Sequence, residues 1–172
     1  MEKKNVLLVD GYNIIGAWGE LQRLKKHQLA DARDLLIERM AEYKAYMGWR
    51  VIVVFDAYMV PGIEKKKRTH DVEVLFTREN ETADERIEKL VSELGGRRVQ
   101  IHVATSDLTE QWIIFAQGAL RKSARELEIE MREITNLITK SVKNFEEQRP
   151  VSKIDLTDEI KEIFEKWRRG MK

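Results

Sequence analysis

NVLLVDGYN, residues Asn5–Asn13, is the stretch whose reading decides the fold. Behind Asn5, Val6–Val9 is unbroken apolar chain with no polar alternation. Such a run marks a strand buried on both faces, as in a parallel sheet covered by helices. It stops at Asp10, and Asp10-Gly11-Tyr12-Asn13 reads as a turn. Two further runs end in the same way. Arg50–Phe55 (RVIVVF) runs into Asp56, and Val99–Ala104 (VQIHVA) runs into Thr105-Ser106-Asp107.

Helical signals lie between these runs. Gln28–Met47 places Leu29, Ala32, Leu36, Met40 and Tyr43 on one face, with Gly48 where a C-cap belongs. Val72–Thr77 (VEVLFT) reads as a third strand. Thr82 is placed to cap a helix over Ala83–Leu94, with Glu85 at the capping-box position and Gly95-Gly96 as the stop. A helix is expected over Thr109–Ala116, and a short edge strand within Gly118–Lys122. Ser123 and Glu126 form a second capping box, opening a long polar helix to about Gln148. Pro150 breaks the chain, and Thr157–Arg169 is a last amphipathic helix, with Ile160, Ile163, Phe164 and Trp167 on one side. Alternating strands and helices imply right-handed crossovers, hence an α/β fold around a parallel sheet. The expected organisation is one domain over residues 1–148 and a helical extension, 149–172, packed on it.

The chain has 172 residues, 42% of them hydrophobic and 35% charged, enough for one core under a charged surface. The formal net charge is only +1, so any case for nucleic acid must rest on local clusters. There are no cysteines, which excludes disulfides, thiolate zinc sites and cysteine nucleophiles. His27, His70 and His102 show no zinc-ligand spacing. A metal site would have to use oxygen ligands, which favours magnesium or manganese. Neither a secretory signal nor a membrane span is read, so no membrane partner is expected and the expected compartment is the cytoplasm.

In an open α/β sheet, ligands bind outside the carboxyl ends of the strands. Asp10, Asp56 and Asp107 follow their strands there, and Asp84 opens the helix after the third strand. Four carboxylates on one edge repel one another unless a cation sits among them. A hard divalent ion resolves that conflict and suits phosphate displacement. Asn13 and Ser106 could hold a water or a phosphate oxygen. Each Asp also has a plain structural role open to it, as a turn residue, a cap or a complement to the helix dipole. A phosphohydrolase fits the same constellation. A response-regulator receiver expects an acidic neighbour beside the first Asp, which Asp10 lacks. No GxGxxG or GxxxxGK[ST] motif supports dinucleotide or P-loop chemistry.

Four segments together resemble the YacP-type NYN domains, a branch of the PIN-like nucleases. They are LLVDGYNIIGAW at Leu7–Trp18, VIVVFDAY at Val51–Tyr58, VLFTRENETADERIE at Val74–Glu88 and TSDLTEQWIIFAQGALRKSARE at Thr105–Glu126. The likeness extends over most of Leu7 to about Asn144. It implies a PIN-like three-layer α/β/α sandwich with about five parallel strands in the order 3-2-1-4-5 and extra C-terminal helices. It implies an acidic cluster binding Mg2+ or Mn2+ through Asp10, Asp84 and Asp107, with Asn13 beside them and Asp56 near the metal. It implies a single-strand-preferring endoribonuclease, in this branch one linked to ribosomes and to mRNA in translation.

RNA binding calls for cations aimed at phosphates and planar groups for stacking. Lys65-Lys66-Lys67-Arg68 is the first candidate, read as a loop leaving the carboxylate edge; Arg121, Lys122 and Arg125 are the second. Tyr12, Trp18 and Tyr58 lie near that edge in sequence, and Ser106 beside Asp107 is counted with the RNA-binding residues. Arg97-Arg98 precede a strand and belong to the opposite edge. Trp112 and Trp167 are read as core, and His102 as a packed strand residue. His70 could touch RNA. The resulting expectation is a metal-dependent endoribonuclease acting on mRNA at the ribosome. The alternatives from other classes are a non-catalytic RNA- or ribosome-binding module and a small-molecule phosphohydrolase.

Overall fold

The strands that end at Asp10 and Asp56 lie side by side. β1 (Lys4–Asp10) pairs in parallel with β2 (Arg50–Phe55), Asp10 opposite Val54, in the computed structural model. The described residues are 2–57, 67–69, 71–107, 116–148 and 158–170. On its other side β1 pairs in parallel with β5 (Val99–Ala104). β2 pairs in parallel with β4 (Val72–Phe76), and β5 with β6 (Leu120–Lys122). The five parallel strands therefore stand in the order expected from the family, 3-2-1-4-5 by parallel strand. One strand was not foreseen. β3 (Lys67–Thr69) runs antiparallel to β4 at the outer edge, giving β3-β4-β2-β1-β5-β6.

Helices cover both faces, as unbroken apolar strands require. One face of the sheet, with Leu7, Val9, Val51, Val53 and Phe55, packs on α1 (Gly11–Ala17), α2 (Gly19–His27), α3 (Leu29–Met47) and the first turns of α5 (Ala124–Gln148). The opposite face, with Val6, Leu8, Ile52, Val54, Ile101 and Val103, packs on α4 (Ala83–Leu94). The caps fall where the sequence put them. Gly48 takes φ 70° behind α3, and Glu85 donates its N–H to the Thr82 hydroxyl. Ser123 and Glu126 close both bonds of the capping box that opens α5.

Three local expectations need correction. Asp10–Asn13 is not a turn: the strand passes straight into α1, and Asp10 is the extended residue before it. Gly11 is required there, because a Cβ would sit 2.3 Å from the Phe55 ring. The run Lys65–Arg68 is not simply a loop at the carboxylate edge. Lys67 and Arg68 belong to β3, whose register from Lys67↔Val74 to Thr69↔Val72 carries the chain away from that edge. Lys65, Lys66, Tyr58, His70 and Trp112, with most of the helix expected over Thr109–Ala116, lie outside the described residues. Trp167, read as core, is 69% exposed on α6 (Asp158–Arg168).

The chain divides into two compact units, Met1–Thr135 and Asn136–Lys172, so the division falls inside α5. The first holds the whole sheet, both apolar cores and all four candidate carboxylates. The second holds the far half of α5 and α6, where Arg169 bonds Glu165 one turn back. Among the described residues, no helix is long and apolar enough to cross a membrane.

Candidate functional site

β1 is the strand from which the connections depart in both directions. The chain leaves it for β2 through helices on one face and reaches β5 through α4 on the other. The crevice beyond its carboxyl end is where such sheets bind ligands. Val9 packs on the α1–α3 face, so the two-residue period turns Asp10 towards the face of α4. Asp84 waits there, in the first turn of α4 behind the Thr82 cap. Asp56 follows β2, and Asp107 follows β5 by three residues.

The electrostatics tie these groups together. Asp10 is only 8% exposed, and burial first, then Asp84, push its pKa up from 3.8 to about 7. Asp107 and Asp56 add to the rise. The Asn13 backbone N–H works the other way, although the Asp10 side chain closes no capping bond. Thus three of the four aspartates named from the sequence act on the fourth. Asp56, Asp84 and Asp107 are each half-buried. Among the described residues, no three carboxylate or imidazole groups are drawn tightly enough to hold a metal ion as they stand. The donor set is all oxygen and surplus in negative charge, which fits a hard divalent cation in kind.

A frame of neutral contacts holds the edge. The Asn13 Oδ1 accepts from the Ser106 backbone N–H at 2.7 Å and from the Ser106 hydroxyl at 2.8 Å. This joins α1 to the loop after β5. Thr105 is fully buried; its hydroxyl accepts from the Asp107 N–H at 3.1 Å, while its own N–H donates to the Lys122 carbonyl. On the β2 side, the Ala57 N–H donates to the Thr77 hydroxyl at 2.9 Å. Sequence reasoning missed Thr105 and Thr77, since threonine at a strand end has no distinguishing pattern.

The candidate RNA-binding residues separate. Tyr12 is half-buried against Phe55, ring centroids 5.0 Å apart, and its hydroxyl accepts from Arg33 at 3.2 Å. It is a packing residue, and Arg33, also missed, holds it. Trp18 is buried, its Nε1 donating to the Ala124 carbonyl at 2.8 Å. The Lys122 ammonium turns inward to Glu130 and over the Trp49 ring, so it is not open to a phosphate. Arg121 has its Nε buried with no hydrogen-bond partner among the described residues. Arg125 alone of this cluster is exposed. It lines a groove of about 550 Å³ that starts at Ser106 and includes Arg132, two helical turns further on. The Arg125–Arg132 spacing of seven was the signal available for Arg132. His102 is packed, its ring stacked 4.4 Å from Trp49 and 3.2 Å from the Asn5 side chain.

Comparison with known proteins agrees with the fold. A family model described as the YacP-like NYN domain matches residues 7–169, a range that includes α6. The chain is 59% identical over 166 residues to YacP of Bacillus subtilis strain 168, covering 96% of this chain and 98% of that one. The crystal structure of Rae1 (YacP) from Bacillus subtilis superimposes with a TM-score of 0.76 at 59% identity, over 96% of this chain and 95% of that one. A tryptophan-to-leucine mutant of the same Bacillus subtilis protein gives 0.74 at 55% identity, over 96% of each chain. The chain belongs to the YacP-like NYN family, within the PIN-like nucleases.

Proposed function

We propose that this protein is a divalent-metal-dependent endoribonuclease that hydrolyses single-stranded RNA at the Asp10 edge of the sheet. The observation that carries the reading is Asp10, a buried carboxyl held near neutrality by burial and by three other aspartates. A carboxylate that has given up its own favourable ionisation is a marker of function. Asp10, Asp84 and Asp107 would hold a magnesium or manganese ion, with Asp56 assisting from the end of β2. Bound there, such an ion supplies Lewis acidity towards water and phosphate oxygens. The chain's own contribution is positional. Ser106 and Asn13 lock the loop of Asp107 to α1, and Thr105 orients the Asp107 backbone. The reading assigns the nucleophile to water, which a bound metal could activate without a histidine. The expected products carry 5′-phosphate and 3′-hydroxyl ends.

RNA as the substrate class follows from the family, and mRNA on the translating ribosome is the proposed setting. A net charge of +1 fits a protein that relies on a second surface to hold its substrate. The test is purified protein with manganese, offered single-stranded RNA, phosphate monoesters and translating ribosomes. Cleavage of RNA to 5′-phosphate ends, abolished in Asp84→Asn and Asp107→Asn with binding kept, is the expected result. RNA left intact both free and on ribosomes overturns the nuclease reading. Equal rates on free and ribosome-bound mRNA overturn the ribosomal setting alone.

A further inference from the structure

Ser106 lines the groove, and its partner sets its hydrogen-bonding sense. The Asn13 Oδ1 accepts from the Ser106 backbone N–H, which can only donate. The Ser106 hydroxyl, 2.8 Å from that same oxygen, therefore also donates to it. A serine hydroxyl has one proton. With that proton given to Asn13, the exposed Ser106 Oγ offers only lone pairs to the groove. While that bond holds, it accepts a hydrogen bond and has no proton to give. A phosphate oxygen finds no donor there, whereas a sugar hydroxyl does find an acceptor.

The other walls suit the rest of a nucleotide. Arg125 is exposed, and Arg132, 74% exposed, pairs with Glu128 at 2.6 Å. Ile129, 46% exposed, adds an apolar patch between them. Guanidinium planes can meet phosphates or stack on bases, and an isoleucine can carry a base face. The groove's volume of about 550 Å³ falls in the ordinary range for a small-molecule site, roughly 300–1,000 Å³. Ser106, which lines it, is the chain neighbour of Asp107, so the groove reaches the residue next to the candidate carboxylates.

We propose that this groove holds the nucleotide next to the bond to be cut, and that Ser106 selects RNA over DNA by accepting a hydrogen bond from its ribose 2′-hydroxyl. The choice of strand rests on the nuclease reading above. The hydroxyl is the feature that lets a protein tell the two nucleic acids apart at one position. Arg125 and Arg132 hold the backbone without regard to the sugar.

The experiment measures binding with EDTA present, so that no strand is cut. An oligouridine of roughly 12 nucleotides and its 2′-deoxy counterpart are titrated by fluorescence anisotropy at low salt. Wild type is expected to favour the ribo strand. Ser106→Ala keeps the backbone bond to Asn13, and it is expected to lower the ribo/deoxy preference about threefold to tenfold while deoxy affinity holds. Ser106→Thr, which retains the hydroxyl, keeps the preference. Arg125→Ala and Arg132→Ala weaken both strands about equally. An unchanged preference in Ser106→Ala overturns the role of Ser106, as does an equal loss on both strands. Undiminished binding in both arginine variants overturns the groove. A wild type that binds neither strand overturns the groove and leaves the nuclease reading to the cleavage assay. The expected binding pattern without manganese-dependent cleavage leaves the groove standing and removes only the nuclease reading.

Discussion

Asp10 and Glu81 are buried to the same 8% exposure in one protein, yet their carboxyls titrate at opposite extremes. Asp10 is pushed up to about 7, and Glu81 is pulled from 4.5 down to about 2. Their surroundings separate them. Glu81 sits before α4, where Arg86 bonds it through Nε and NH2 at 3.0 and 2.6 Å, Lys89 reaches it at 3.2 Å, and the Arg78 N–H donates at 3.3 Å. Asp10 is set deeper, so desolvation is the first cause of its rise; it also faces Asp84, Asp107 and Asp56, with only a backbone amide in its favour. Equal exposure thus serves two ends. The Glu81 corner is arranged for stability, with charge matched to charge. The Asp10 edge sets stability aside, a mismatch in keeping with the proposed cation site.

Cleavage gives the sharpest way to test the contrast. Asp84→Asn or Asp107→Asn is expected to lower manganese-dependent RNA cleavage at least about 100-fold. Their folded structure should persist, since each substitution removes repulsion from Asp10. Glu81→Gln, assayed at a temperature where it stays folded, should retain most activity. A Glu81 variant as dead as the aspartate variants would dissolve the distinction between the two corners.

Stability should reverse the ranking. Glu81→Gln leaves Arg86 and Lys89 without their shared carboxylate, at a cost on the order of 2–3 kcal/mol near neutral pH. The pH window follows from the depressed pKa. Above about 4.5 the carboxylate is ionised in both folded and unfolded chain, and its full contribution is present. As pH falls towards about 2 the folded protein must also take up the proton, and the contribution is lost. Urea denaturation of both proteins at pH 7 and pH 2.5 checks this: the gap should be wide at the first and narrow at the second.

The sequence carried the parallel sheet because strands buried on both faces show as unbroken apolar runs, and Val6–Val9 and Val51–Phe55 could be little else. The four aspartates were legible for a related reason, since strand ends in such a sheet share an edge. What escaped was short or long-range. Lys67–Thr69 has no apolar residue to betray an edge strand, and α1 begins inside a DGYN that reads as a turn. Lys122 looked like a surface cation until its place in β6 turned it onto Glu130, eight residues ahead, and Trp49, far back in the chain. The Arg33–Tyr12 bond joins residues 21 apart with no local periodicity to announce it.

The smallest expected effect bears most directly on Asp10. Unfolded, it loses its proton near 3.8; folded, near 7. Between those values the folded protein keeps a proton that the unfolded chain has released, so stability falls as pH rises through the window. Asp10→Asn removes this penalty. In metal-free buffer the variant should match wild type near pH 4 and exceed it at pH 8 by on the order of 1–2 kcal/mol, less than the full shift would give because the neighbouring carboxylates titrate with it. Manganese should invert the order, since a cation that binds only the folded wild type adds stability by mass action. Thermal denaturation at pH 8 with EDTA and then with manganese reads both halves. A wild type that outlasts the asparagine variant in EDTA would show that Asp10 is as well served as Glu81. A wild type that gains nothing from manganese would show that its surplus charge is not held for a metal.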